Sequence, residues 1–159
     1  MSQIEIVIMS FGFQSSGRPS NANKVLNARS VENPGTARQR QKHNGLNKDL
    51  AKDVLKQPKA QNLISEGVDS IREAISEFLS REVKVEDDVN NATTDEHTEA
   101  QEMAFILAVG CHAGMHRSVT IAEAIKKEVA SFIKDENLKG NTQLSVVHRD
   151  INKQKSERR

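Results

Sequence analysis

The sequence contains no tryptophan and no tyrosine, one cysteine, three prolines and five phenylalanines in 159 residues. Each scarcity excludes something. With Cys111 as the only cysteine, there is no intrachain disulfide framework and no cysteine-rich zinc site. With so few aromatic rings, the core must be aliphatic, and a surface that reads single-stranded bases by stacking has little to work with. No apolar run approaches the length needed to cross a bilayer, and the chain enters a strand pattern too early for a secretory leader. These features predict a cytoplasmic protein, a nuclear one being left open, with no membrane partner, cofactor or metal. Twenty-three Lys and Arg against twenty-two Asp and Glu give a net charge of +1, so bulk electrostatics selects no partner. A mean hydropathy of -0.62 leaves apolar material for one core and puts part of the chain in solvated segments.

What is present reads as alternating strands and helices. Ile4 to Met9 is an apolar run broken only by Glu5, the pattern of a strand in a parallel sheet. Residues 10–23 are rich in Gly, Ser, Pro and Asn and predict a loop. Lys24 to Arg29 is a short second strand. A long loop follows through Pro34, Gly35 and Gly45, with Arg38, Arg40 and Lys42 against the single acid Glu32. Asn47 opens a short helix. Lys59 to Arg81 is the clearest helix, with Ile64, Val68, Ile71, Ile75, Phe78 and Leu79 on one stripe. Residues 82–102 carry eight carboxylates and one lysine, Lys84, and predict a flexible acidic insertion. Met103 to Val109 is a central strand. A helix from about Arg117 places Ile121, Ile125, Val129 and Phe132 on one side. Gln143 to Val147 is the last strand, and 151–159 is a basic tail. No internal repeat appears. The expectation is one α/β domain over 1–150: three layers, a mainly parallel sheet of about four strands, and a strand–phosphate loop–helix unit.

That unit is Gly110 to Val119, GCHAGMHRSV. A helix start leaves backbone N–H groups without intrahelical partners and carries the positive end of the helix dipole, so it favours a phosphate. Gly110 and Gly114 permit backbone turns that let N–H groups converge. Arg117 offers a planar fork to phosphate oxygens, and Ser118 a cap or a donor. The candidate ligand residues are Cys111, His112, Ala113, Gly114, His116, Arg117 and Ser118, with Arg29 facing the same cleft. His116 is either a direct donor or an orienter of its neighbours. His148 and Arg149 also end a strand there. A His-Arg-Asp string occurs in kinases, but the other kinase motifs are missing.

Two families share the loop pattern. Cys111 to Ser118 fits the C-x5-R-S signature of cysteine-dependent phosphatases, with Cys111 as nucleophile and Arg117 as clamp. The residue before the cysteine is Gly110 where those enzymes have His, and no Asp-bearing general-acid motif is evident. The second resemblance covers most of the chain. Ser10-Phe11-Gly12-Phe13, Arg29, Asn33-Pro34, Gly45-Leu46, Gly110 to Val119 and His148-Arg149 stand in the order and spacing of the C-terminal domain of the RapZ RNase adapter family. The sequence resembles that family, with Asn21, Asn23, Asn27 and Asn47 at positions of Asp, His112 at a Thr and Ala113 at a Gly. Asn keeps a hydrogen-bond acceptor but cannot ionise. The resemblance implies an α/β domain binding a phosphorylated small molecule, an amino-sugar phosphate in the bacterial case, and an RNA-binding role. The family's Walker-type nucleotide site has no counterpart in these residues. A binding module for a sugar phosphate is therefore favoured over a cysteine phosphatase, and over an RNA or protein interaction module with a vestigial loop. For RNA, the candidates are Arg149, Lys153, Lys155, Arg158 and Arg159. A homo-oligomer is left open.

Overall fold

The computed structural model describes residues 2–91 and 101–153. Four strands, β1 (Gln3–Gly12), β2 (Lys24–Asn27), β3 (Glu102–Cys111) and β4 (Thr142–His148), form one sheet in the order β2-β3-β1-β4. Every pairing is parallel, as the apolar runs predict. Ile4, Ile6 and Ile8 alternate along β1 and are completely buried. They join Leu107, Val109 and Leu26 in the core beneath α3 (Pro58–Asn91) and α4 (Arg117–Asp135). Gly67 of α3 is a point of close approach: a methyl group there would meet Ile125 of α4 at 2.6 Å and Leu107 and Leu26 at 3.1 Å. Both helices therefore lie on one face.

The other face is closed differently. Val109 points into the helical core, so Gly110 points away from it, and the Phe11 and Phe13 rings lie over Gly110. From Phe13 the chain must cross β3 to reach β2, travelling opposite to the β2–β3 and β3–β4 crossovers. The right-handed rule puts such a connection on the opposite side of the sheet. The layers are thus helices, sheet and a non-helical crossover.

The predicted stripes are buried: Ile64, Val68, Ile71, Ile75 and Phe78 on α3, and Ile121, Ile125 and Val129 on α4, with Leu79 and Phe132 partly buried against the cluster. α2 (Lys48–Leu55) is capped by Asn47, whose side chain accepts from Asp49 and Leu50 N–H. Several boundaries differ from the sequence reading. β2 stops at Asn27, two residues before Arg29, and β3 runs on through Gly110 and Cys111, which the sequence reading gives to the loop. β1 runs through Ser10, Phe11 and Gly12 because β3 offers partners as far as Cys111. A one-and-a-half-turn helix, α1 (Ala37–Lys42), interrupts the long loop; it buries nothing and is held by a Thr36–Gln39 capping box. α3 continues to Asn91 instead of ending at Arg81, since residues 82–91 hold no Gly or Pro to stop it. The first half of the predicted acidic loop is therefore helical, and 92–100 lie outside the described residues. Among the described residues no helix is long and apolar enough to cross a membrane.

Candidate functional site

The parallel sheet brings the ends of all four strands to one edge, where ligands of open α/β sheets bind. At its centre β3 ends at Cys111 and α4 begins at Arg117. The linking turn rests backbone-to-backbone on the end of β1. A Cβ on Gly12 would stand 2.4 Å from the Ala113 carbonyl, and one on Gly114 would stand 2.5 Å from the Gly12 nitrogen. Gly114 also has φ of 76°, which disfavours any side chain. Among the described residues, the amides of Ala113, Gly114 and Met115 donate to no protein acceptor. The N-cap of α4 is His116, which makes no side-chain capping bond, so the first-turn N–H groups keep the open donors of a helix start. This turn has the composition of an anion cradle.

The side chains around the turn are arranged less simply than the motif suggests. Arg117 is buried, and its Nη1 donates to the carbonyls of Arg29 at 3.0 Å and Val31 at 2.9 Å. It ties the segment after β2 to the start of α4. Cys111 is buried and its thiol lies 3.1 Å from Ser118 Oγ. Reactive cysteines occupy partly exposed, electropositive sites; this one packs as a small apolar group. Ser118 is spent on that contact and caps nothing. His112 is exposed. His116 Nε2 lies 2.9 Å from the Arg40 carbonyl and 2.7 Å from that of His43. Both partners only accept, so Nε2 carries the hydrogen, and the ring orients the loop that carries α1. Ala113 is half-buried and contributes backbone only.

Flanking the turn is a row of rings and guanidinium groups. The Phe11 and Phe13 rings pack edge to face with centroids 4.7 Å apart. Arg29 is exposed, lies 4.0 Å over Phe13 and is steadied by Asn27 Oδ1, which accepts from its backbone N–H and its Nε. Asn at 27 thus serves as an acceptor, which needs no charge. Arg149 lies 5.4 Å over Phe11 and donates to the Gly17 carbonyl and to Asp150. Lys153 reaches Ser16 Oγ and Asp150. These two RNA candidates are thus partly engaged within the fold; Lys155, Arg158 and Arg159 lie outside the described residues. His148 faces the other way: its ring bridges Ser10 Oγ and Glu123 Oε1, each at 2.7 Å, beneath α4.

The residue that sequence reasoning missed is Asp150. It is fully buried and accepts from the Gly12 N–H at 2.7 Å, from Arg149 and from Lys153. Burial pushes its pKa up, but the Arg149 and Gly12 hydrogen bonds and Lys153 outweigh that and hold it below the ordinary 3.8. Asp150 joins the end of β4 to the strand on which the β3–α4 turn rests. Its sequence signal is the His148-Arg149-Asp150 string at the end of the last strand.

A model of the RapZ C-terminal domain family matches residues 4–86 and 82–152. Relatives named "Nucleotide-binding protein" include those of Paenarthrobacter aurescens, 29% identical over 151 residues, and Caldicellulosiruptor saccharolyticus, 31% identical over 148. These matches cover 95% and 93% of this chain but only 40% and 41% of the relatives. A "Nucleotide-binding protein" of Leifsonia xyli is 30% identical over 151 residues, 95% of this chain and 42% of its own.

Proposed function

This chain belongs to the RapZ C-terminal domain family, and on that basis and the site geometry we propose that it is a non-enzymatic binding module for a phosphorylated small molecule, a sugar phosphate before other classes. One observation carries the reading. The amides of residues 113–115 and the uncapped first turn of α4 converge at the sheet edge, on a turn that Gly12 and Gly114 alone permit. Such a cradle recognises a phosphate through backbone donors and the helix dipole. In this reading His112 and Arg29 are the exposed side chains that contact the ligand. Arg117 shapes the cradle from behind and keeps a positive charge beneath it. Sugar hydroxyls would be met by the polar segment 14–18 and by Asn27. The relatives' printed name makes a nucleotide the second ligand class to test, although this chain covers well under half of their length.

Arg29, Arg38 and Lys42 are exposed on segments held against the turn by Arg117 and His116, and with the exposed Arg18, next to the Gly17 carbonyl that Arg149 holds, they support a regulatory role in which RNA is held there by its backbone. Cys111, buried against Ser118, supports no phosphatase step.

Thermal unfolding of the full chain with phosphosugars, nucleotides, inorganic phosphate and the parent sugars tests the proposal. A ligand at a hundred times its Kd stabilises the native state by about 2.7 kcal/mol, a rise in Tm of roughly 5 °C or more. The phosphosugar should produce it and the unphosphorylated sugar should not. If every phosphorylated compound leaves Tm unchanged, the cradle is not a ligand site.

A further inference from the structure

Arg29 is exposed, yet its side chain is held in place. The guanidinium lies 4.0 Å over the Phe13 ring, and Asn27 Oδ1 accepts from the Arg29 backbone N–H at 3.0 Å and from Nε at 3.1 Å. Ring and amide together fix the plane of the guanidinium. Among the described residues, Nη1 and Nη2 meet no protein acceptor. The outer edge of the fork is therefore preorganised and unspent. A carboxylate or a phosphate, which takes two parallel N–H donors, fits it.

The fork stands beside the phosphate cradle. The Arg29 carbonyl accepts from Arg117, the Ala28 N–H donates to the Gly110 carbonyl, and the Phe13 N–H donates to that of Cys111. From Cys111 to Gly114 the chain spans at most about 10 Å, so one sugar-sized molecule can reach both places. The sign of the group at the fork follows from the charges around it. The turn and the segments that touch it, 12–18, 27–31, 40–45 and 149–150, hold a single carboxylate, Asp150. That carboxylate is fully buried and committed to Gly12, Arg149 and Lys153. Glu123, further along α4, is engaged by His148. A cationic substituent on the ligand would find no counter-ion here, whereas an anionic one finds Arg29. Building on the reading of residues 113–115 as a phosphate cradle, we propose that Arg29 is its specificity residue. It selects a phosphorylated sugar that bears a second anionic group, a carboxylate or another phosphate, over neutral and amino-sugar phosphates.

Titration calorimetry of the full chain with glucose-6-phosphate, glucosamine-6-phosphate, 6-phosphogluconate and fructose-1,6-bisphosphate tests this. A bidentate charge-assisted contact should make one of the last two bind about tenfold or more tighter than glucose-6-phosphate. Which of them does so tells a carboxylate from a second phosphate. Glucosamine-6-phosphate should bind most weakly. Arg29→Ala should bring the doubly anionic ligands down to the level of glucose-6-phosphate. Arg29→Lys keeps the charge but not the fork, so it should lose most of the preference; diffuse attraction alone would survive it. Asn27→Asp keeps the acceptor that steadies Arg29 but adds a negative charge, and should shift the preference towards glucosamine-6-phosphate. Equal affinities for all four compounds overturn the proposal while leaving the cradle in place. So does tightest binding of the amino sugar, or a preference that persists undiminished in Arg29→Ala or Arg29→Lys. If none of the four binds, the cradle reading itself fails, and the proposal with it.

Discussion

Arg117 shows how a motif can name the right residue for an incomplete reason. From sequence it is a phosphate fork. In the fold its Nη1 is occupied by two backbone carbonyls and its side chain is buried. Arg117→Ala would strip the Val31 carbonyl of a donor in a buried setting and leave a void where the buried side chain stood, a loss of about 2 kcal/mol or more. We expect a fall in Tm of several degrees without any ligand, and weaker phosphate binding as the turn loosens. Arg117→Lys keeps the charge but cannot span both carbonyls, so its Tm should lie between the two. A ligand-free Tm equal to wild type in the Ala variant would mean that the tie contributes nothing. Gly114→Ala is the harsher change. Its Cβ would be driven into Gly12 at a φ that side chains avoid, a cost of about 1–3 kcal/mol in backbone conformation alone. It should abolish binding even where Arg117→Lys preserves some, as titration calorimetry with the phosphosugar would show.

At the scale of elements, Asp150 fixes the relation between the end of β4 and the end of β1. Its folded pKa lies below 3.8, the value expected when the chain unfolds. It therefore adds stability at pH values above that figure, and the contribution fades as pH falls through the lower folded pKa. Asp150→Asn should be less stable than wild type at neutral pH, and the gap should narrow below about pH 4. Urea unfolding at a series of pH values would check this; a constant gap would mean that the carboxylate charge is not what matters.

Elements were also where the sequence was most and least legible. Strands and long helices are legible in the apolar run Ile4 to Met9 and in the Ile64–Phe78 stripe, because burial selects apolar side chains and, along a helix, imposes a period. The capped start at Asn47 was visible for a similar reason: a short side chain must answer open N–H groups. What could not be read were features set by distant partners. The extension of β1 through Phe11 depends on the length of β3, and Gly110 is small because two rings lie over it, not because it turns. Arg117 and Asp150 owe their roles to carbonyls and amides on other segments, which no local pattern displays. α1 lacked a periodic signal because it has no buried face.

For the whole molecule, a charge near zero conceals an uneven distribution. Arg18, Arg29, Arg38 and Lys42 are exposed on segments next to the β3–α4 turn, while Asp135 and Glu136 close α4 at its other end. RNA bound at the basic edge would be held through its phosphates, with log Kd rising linearly against log salt. Arg38→Ala combined with Lys42→Ala should flatten that slope and weaken binding across unrelated sequences alike, in filter-binding or polarisation assays. An unaltered slope would remove α1 from the RNA surface.

The position of β1 has a kinetic consequence. It is the first of the four strands to be synthesised, yet it takes an interior place in the sheet, where Gln3 pairs with Glu102 and Ile4 with Thr142. Neither neighbour exists until most of the domain has been synthesised. An apolar segment must wait, unpaired, while α2 and α3 form from local contacts, and loop closure over so many residues is slow. Newborn chains should thus pass through a helical species with a sticky N-terminal strand, the state on which chaperones act and from which aggregation starts.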